Sequence, residues 1–156
     1  MLNFIYNPCA GNGKAKKYYD VISEQLKNSD VEHTFFETQG KAHATKIAKE
    51  LTSGGQQNII VMGGDGTLHE TLNGLHDPAN VKLGLIPCGS GNVFAASANI
   101  PCTPSEALNI ILGGKTKYVD FMECSGIRGI NVIGAGIDVD ILKRCYSSKF
   151  FKGKIK

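Results

Sequence analysis

Short apolar runs alternate with longer segments of helical periodicity over the first 114 residues of the chain. Apolar-rich segments predict strands buried in a sheet at residues 2–7, 59–62 and 83–87, and we predict a further strand at residues 31–38. Apolar positions three and four apart predict helices, which follow at residues 14–28, 42–53, 68–74, from about 92, and 104–112. Repeated strand–helix units of this length imply an α/β fold with a doubly wound parallel sheet, and we assign residues 1–114 to it.

The pattern changes after Gly114. Two predicted strands, at residues 116–124 and 129–136, are joined through Ser125-Gly126 with no helix between them, which is typical of a hairpin. An isolated hairpin rarely supports itself in water. We therefore interpret residues 115–156 as the start of a second, antiparallel β-rich domain. Its last residues, 143–156, hold six basic side chains and no acidic one, which fits contact with an anionic membrane surface or a solvated helix or loop.

Composition places the chain among ordinary globular proteins, with 42% hydrophobic and 20% charged residues in 156. No apolar run approaches the roughly 18 residues that a membrane-spanning helix needs. The five cysteines are odd in number and widely spaced, which argues against a disulfide framework and a zinc site and favours a reducing cytosol.

Residues 59–67, Ile-Ile-Val-Met-Gly-Gly-Asp-Gly-Thr, are the most informative stretch of the chain. Gly63, Gly64 and Gly66 let the backbone turn sharply and approach a ligand with no Cβ in the way. A helix is predicted directly afterwards, and the N–H groups and dipole at a helix N-terminus favour phosphate. The alternative is a strand-to-helix turn without function, which would need fewer glycines and acids.

Asp65 is the acidic side chain of this turn. Phosphate repels a carboxylate unless a cation lies between them, so the pattern favours a nucleotide that carries Mg²⁺, held partly through water. Each of the four predicted strands ends at a glycine-rich or polar segment. Ligands bind beyond the carboxyl ends of strands in such sheets, so we expect one shared site.

Five segments, in order along the chain, resemble the diacylglycerol kinase catalytic family, the lipid kinases that also include sphingosine and ceramide kinases. Asn7-Pro8-Cys9-Ala10-Gly11 resembles the first loop, Asn-Pro-x-x-Gly, and Thr38 stands where the family has a threonine after the second strand. Gly63 to Thr67 match the GGDGT signature. Residues 87–92 resemble Pro-x-Gly-Thr-x-Asn, and residues 130–138 resemble a later Asn-x-x-x-x-Gly-x-Asp segment.

The resemblance implies an ATP-dependent kinase, with Mg²⁺, that transfers the γ-phosphate to a lipid hydroxyl, with diacylglycerol giving phosphatidate as the expected reaction. It implies Asp65 as the catalytic residue. The nucleotide-binding residues that it implies are Asn7, Pro8, Cys9, Ala10, Gly11, Thr38, Gly63, Gly64, Asp65, Gly66, Thr67, Leu68, His69 and Ser90. Ser90 replaces the usual threonine but keeps its hydroxyl.

The family's second domain is a larger β-sandwich that runs well beyond this point, so the resemblance implies a chain truncated at the start of its lipid-substrate domain. We expect the isolated chain to be inactive on lipid. We also expect it to be poorly soluble or homo-oligomeric, because Val119, Phe121, Val132 and Ile133 would lack a covering sheet. The expected location is cytoplasmic and peripheral to the membrane, where the lipid substrate lies; nucleic acid is not an expected partner.

Two questions stay open at the level of sequence. In the sphingosine kinase branch the aspartate that matches Asp65 is the proposed base, whereas bacterial diacylglycerol kinases are thought to place a base in the second domain. NAD kinases share GGDG and a similar first domain, although residues 87–95 resemble the lipid kinase loop better. A third interpretation is a nucleotide-binding fragment without catalysis.

Overall fold

Four parallel strands form the central sheet of the computed structural model, which describes residues 1–147 apart from the side chains of residues 142 and 145–147. The strands are β1 (Leu2–Tyr6), β2 (His33–Glu37), β3 (Asn58–Gly63) and β4 (Lys82–Pro87). Their order in the sheet is β2-β1-β3-β4, and every neighbouring pair is parallel. The predicted strands are confirmed, with bounds that differ by one or two residues.

Helices cover both faces of this sheet. They are α1 (Lys14–Lys27), α2 (His43–Ser53), α3 (Asp65–Gly74), α4 (Val93–Ser97) and α5 (Pro104–Leu112), with a 3₁₀ turn at Pro78–Asn80. Because side chains alternate along a strand, Phe4 of β1 packs in a core with residues of α1 and α5, whereas Ile5 packs in another with residues of α2 and α3. The predicted doubly wound α/β fold is therefore confirmed.

The hairpin after α5 is shorter than predicted. Strands β5 (Met122–Cys124) and β6 (Ile127–Gly129) pair antiparallel over three residues each, across Ser125 and Gly126. Both turn residues have positive φ, at 52° and 76°, as a two-residue hairpin turn requires. The prediction of strands over 116–124 and 129–136 was wrong in extent, because residues 130–136 form no strand. Helix α6 (Ile137–Ser147) follows, and it begins six residues before the segment 143–156 for which a helix or loop was one interpretation.

The apolar residues beside this hairpin are exposed. Val119, Phe121, Val132 and Ile133 are exposed to solvent by 50, 38, 77 and 38%, so no further sheet covers them in the described part of the chain. That they form one apolar patch that drives association stays a prediction. The segment 143–156, with its predicted membrane contact, lies mostly outside the described residues. Among the described helices, none is long and apolar enough to cross a membrane.

Candidate functional site

The carboxyl ends of all four parallel strands lie along one edge of the sheet. The chain leaves β1 towards β2 on one side and reaches β3 and β4 on the other, so the topology reverses between β1 and β3. Open α/β sheets bind ligands at such a switch point. The loops after β1, β3 and β4 carry three of the segments singled out from the sequence, and they meet at this edge.

Asn7 joins the first loop to the third strand–helix turn. Its side-chain amide donates a hydrogen bond to the Thr67 hydroxyl at 3.0 Å, and its side-chain oxygen accepts the Cys9 N–H at 3.0 Å. Its backbone N–H donates to the carbonyl of Met62 in β3 at 3.0 Å. Asn7 thus forms hydrogen bonds with protein groups on both sides of the switch point. These bonds hold the loop after β1 in shape.

Glycines allow the three loops to touch through their backbones. Gly11 has a φ of 61°, and a Cβ there would collide with the carbonyl oxygen of Cys88 in the loop after β4. Gly64 and Gly89 face each other so closely that a Cβ on Gly64 would lie 2.9 Å from the Gly89 Cα. The absence of side chains at these positions is what brings the three loops into one surface.

The N-terminus of α3 presents donors without partners in the helix. The first helical bond runs from the Leu68 N–H to the Gly64 carbonyl at 3.0 Å, so the N–H groups of Asp65, Gly66 and Thr67 have no acceptor within α3. Gly66 is exposed, and no atom lies within 4 Å of where its Cβ would be. Free N–H groups, the positive end of the helix dipole and open space together suit a phosphate group.

Asp65 points from α3 towards the start of α4. One carboxylate oxygen, Oδ2, accepts the Val93 N–H at 3.2 Å, and the other, Oδ1, accepts the Phe94 N–H at 3.3 Å and the Asn131 side-chain amide at 3.4 Å. The side chain of Asn92, at the N-cap of α4, makes no capping bond. Asp65 therefore accepts hydrogen bonds from two N–H groups at the start of α4. The side chain of Asn92, the N-cap residue of this short helix, leaves these groups without a partner.

Asn92 holds the loop after β4 in shape. Its side-chain oxygen accepts the Gly89 N–H at 2.9 Å, and its side-chain amide donates to the Gly89 carbonyl at 2.8 Å. Its own backbone is left-handed, with a φ of 51°. The loop is closed by this pair of bonds, and Ser90 is left exposed at its tip.

The remaining predicted site residues take different positions. Thr38 is buried and continues the ladder, its N–H donating to the Tyr6 carbonyl at 2.7 Å, which places it beside the first loop. His69 is exposed on α3. Leu68 is 1% exposed in a core with Val61, so its side chain anchors α3 and is not available to a ligand.

Pro8, Cys9 and Ala10 complete the first loop, where Cys9 is exposed and the other two are half-buried.

The two cysteines of the loops differ in environment. Cys88 is fully buried, and burial raises the pKa of its thiol from 9.0 to about 12. Burial thus disfavours the thiolate, which is the form that reacts with alkylating reagents, at Cys88. Lys14 opens α1 next to the first loop; a hydrogen bond to Tyr18 raises the pKa of its ammonium, which lies 4.9 Å from the Tyr18 ring.

Sequence reasoning missed the partners of Asp65. Asn131 is the asparagine of the segment 130–138, which carries part of the family resemblance. Asn131 was not assigned to the site from the sequence. The N–H groups of Val93 and Phe94 carry no side-chain signal at all. Within residues 1–147, no three His, Cys, Asp or Glu side chains form a cluster that could hold a metal ion.

Comparisons with known proteins identify the family of this chain. The sequence model of the diacylglycerol kinase catalytic domain matches residues 1–124. Diacylglycerol kinases of Staphylococcus carnosus and Bacillus subtilis are 30% and 33% identical to this chain, over 85% of it and 44% of each relative. The crystal structure of a diacylglycerol kinase from Bacillus anthracis str. Sterne superposes with a TM-score of 0.73 at 31% identity, covering 82% of this chain and 45% of that one.

The chain thus spans a little under half the length of these relatives. The matched residues contain all four parallel strands and the three loops that meet at their carboxyl ends. The sequence model over residues 1–124 and the fold shared with the solved structure place this chain in the diacylglycerol kinase catalytic domain family.

Proposed function

We propose that this chain is the nucleotide-binding part of an ATP-dependent lipid kinase, which transfers the γ-phosphate of ATP to the hydroxyl of diacylglycerol and gives phosphatidate. The observation that carries the proposal is the meeting of the loops after β1, β3 and β4 at the open N-terminus of α3. Phosphoryl transfer depends chiefly on positioning and on electrostatic stabilisation of the phosphates, and this edge supplies fixed backbone donors for both.

The residues present fit a magnesium–nucleotide complex. Each carboxylate oxygen has two acceptor positions, and protein donors fill both on Oδ1 of Asp65 but only one on Oδ2. One position therefore remains for a water of hydrated Mg²⁺, which usually keeps several waters and takes one or two carboxylates. Bound Mg²⁺ would neutralise the charge of the phosphates, and Asp65 is the catalytic residue that we assign to holding it.

The phosphate-contacting groups are the backbone of the first loop and of the turn after β3. Gly66 and Thr67 offer the N–H groups at the start of α3, and the hydrogen bond from Asn7 to Thr67 holds the first loop beside them. Thr38 and Ser90 flank this centre from β2 and from the loop after β4. Their hydroxyls suit hydrogen bonds to the rest of the nucleotide.

The lipid would reach the site from the region that begins with the hairpin. Phe121 and Val119 lie there exposed, with Val132 and Ile133 after β6, as expected for a surface that borders an apolar substrate or a further layer of protein. We propose peripheral binding to the membrane during the reaction. We also expect the 156-residue chain alone to phosphorylate no lipid, because the described residues after α5 form only the β5–β6 hairpin and α6, and the chain spans a little under half the length of its relatives.

The test is a transfer assay with γ-labelled ATP and Mg²⁺ on the protein at its full encoded length. Vesicles of diacylglycerol, sphingosine or ceramide, and NAD in solution, serve as separate acceptors. We expect labelled phosphatidate from diacylglycerol. Label in NAD with none in any lipid would contradict the proposal in favour of a dinucleotide kinase.

Asp65→Asn provides the matched variant for this assay. We expect a loss on the order of a hundredfold in rate, the scale of losing a central electrostatic group. Asp77→Asn is the control, because Asp77 is exposed and accepts a hydrogen bond from Asn80 far from the site edge. Near-normal turnover by Asp65→Asn would remove Asp65 from any central role.

A further inference from the structure

A contact from beyond the parallel sheet reaches the carboxylate of Asp65. Asn131 lies just after β6, 66 residues along the chain from Asp65, and its side-chain amide donates to Oδ1 at 3.4 Å. The other two donors to this carboxylate are backbone N–H groups of α4. Asn131 thus makes a polar contact from the segment after the hairpin to the site edge, next to Ile130, which packs against the apolar residues of α3 and α4.

Asn73 and Arg128 fix where this segment lies. The side-chain amide of Asn73 donates to the Arg128 carbonyl at 2.8 Å, and its side-chain oxygen accepts the Arg128 N–H at 2.8 Å. A single asparagine thereby pairs with both backbone groups of Arg128, as a neighbouring strand would. The hairpin is attached in this way to the last turn of α3, the helix whose first turn carries Asp65.

The Arg128 side chain adds a second attachment at the same place. Its guanidinium donates to the carbonyls of Leu72 at 3.2 Å and Leu75 at 2.7 Å, at the C-terminal end of α3. Carbonyls there lack helical partners and favour a cation. Glu123 of β5 holds the same guanidinium at 3.3 Å. Arg128 is therefore fixed on α3, and Asn131 follows only three residues later.

We infer that Asn131 is a positioning residue for the nucleotide site: it orients the Asp65 carboxylate from the side of the hairpin, and the Asn73–Arg128 attachment sets its place. The orientation of Asp65 by Asn131 is inferred from the observed contacts. Its effect on Mg–ATP binding rests on the proposed function. With both acceptor positions of Oδ1 filled, Oδ2 would be the oxygen left to accept a water of hydrated Mg²⁺. The region after the hairpin would thereby influence Mg–ATP binding through the Asn131 amide.

The experiment compares two substitutions at two matched positions. Asn131→Ala removes the amide, and Asn131→Asp places a like charge opposite Asp65 at almost unchanged shape. Asn80 is the control, because it is an exposed asparagine that donates to the Asp77 carboxylate at 2.7 Å, at the other end of the sheet. Asn80→Ala and Asn80→Asp therefore repeat the same chemistry away from the site.

The first measurement needs no nucleotide. Backbone amide signals of Val93 and Phe94 in ¹⁵N-labelled chain report the hydrogen bonds to Asp65. We expect Asn131→Ala to shift both signals, Asn131→Asp to shift them further, and the Asn80 variants to leave them in place. A purely space-filling Asn131 would predict that Asn131→Asp resembles the wild type, and unchanged signals in both Asn131 variants would overturn the inference.

The second measurement is the affinity for Mg–ATP by calorimetry. We expect Asn131→Ala to weaken it about threefold to tenfold, the scale of one hydrogen bond to a charged group at a partly exposed site, and Asn131→Asp to weaken it more. Asn80 variants should stay within about twofold of the wild type. Equal affinity in all four variants would overturn the inference, whereas a wild-type chain that binds no Mg–ATP would count against the proposed function and leave the amide signals to decide the positioning.

Discussion

The Asn7 side-chain amide and the Thr67 hydroxyl form a hydrogen bond of 3.0 Å across the point where the sheet topology reverses. Thr67 is 6% exposed, and Asn7 also accepts the Cys9 N–H. The two residues are 60 positions apart in sequence. Their bond couples the shape of the first loop to the N-terminus of α3, so the polar side chains of the motifs hold the loops and leave the backbone to face a ligand.

Two threonines one turn apart on α3 test this relationship. Thr71 is fully buried, and its hydroxyl has no hydrogen-bond partner among the described residues. Thr67→Val should lower the free energy of unfolding by about 1 kcal/mol or more, because it leaves the Asn7 amide without its acceptor. Thr71→Val should be neutral or stabilising, since it removes a buried hydroxyl that is unpaired.

Urea unfolding of both variants measures the difference. The same shape change is made at both positions, so packing and β-branching are matched. Thr67→Val should also weaken Mg–ATP binding, while Thr71→Val should not. If both substitutions destabilised the chain equally, the Asn7–Thr67 bond would contribute nothing specific.

Gly64 and Gly66 separate loop packing from ligand access. Gly64→Ala would press a Cβ to 2.9 Å from the Gly89 Cα, so both stability and nucleotide affinity should fall. Gly66→Ala meets no atom within 4 Å, and alanine is favoured over glycine in a helix by up to about 1 kcal/mol. Stability should therefore be kept or raised.

Affinity for Mg–ATP should nevertheless drop in Gly66→Ala, because the added methyl group stands where phosphate would approach the α3 N-terminus. Thermal unfolding measures the stability of each variant, and calorimetry measures its affinity for Mg–ATP. Full affinity for Mg–ATP in a stable Gly66→Ala chain would show that the phosphate does not bind at this turn.

The buried Cys88 thiol should lower the free energy of unfolding at alkaline pH. Burial raises the pKa of its thiol from 9.0 to about 12, so below pH 9.0 the thiol is neutral in both the folded and the unfolded chain and its contribution is fully present. Between pH 9.0 and about 12 only the unfolded chain ionises, and stability falls as pH rises. Burial likewise raises the pKa of Tyr6 from 10.0 to about 12.

The measurement is the urea midpoint as a function of pH in wild type and Cys88→Ala. The variant should show a shallower decline above pH 9.0, whatever its stability at neutral pH. Cys124→Ala is the control, because Cys124 is exposed and should leave the slope unchanged. Identical slopes in all three proteins would mean that Cys88 is accessible in the folded chain.

The parallel sheet and its loops could be predicted because β1, β3 and β4 are apolar-rich segments and each of the four strands ends at a motif. Ser125-Gly126 likewise identified the hairpin turn, since both residues adopt positive φ. These signals are local in sequence. They correctly predicted that GGDGT lies between a strand and a helix N-terminus.

The hairpin's extent and α6 could not be predicted for physical reasons. Residues 137–141, Ile-Asp-Val-Asp-Ile, alternate with the period of a strand although they open a helix. The outer backbone groups of Arg128 are taken by the Asn73 side chain instead of a further strand. Such pairings, like that of Asn131 with Asp65, join residues 55 and 66 positions apart, and apolar periodicity carries no information about them.

The central claim is that the loops after β1, β3 and β4 form one site for Mg–ATP. It is tested most directly by titrating Mg–ATP into the ¹⁵N-labelled chain and following every assigned backbone amide. The account predicts saturable shifts at Gly11, Gly66, Thr67 and Ser90, with Thr38 affected as their neighbour. Shifts confined to the opposite end of the sheet, around Gln57 and Asn80, or none at saturating Mg–ATP, would contradict it.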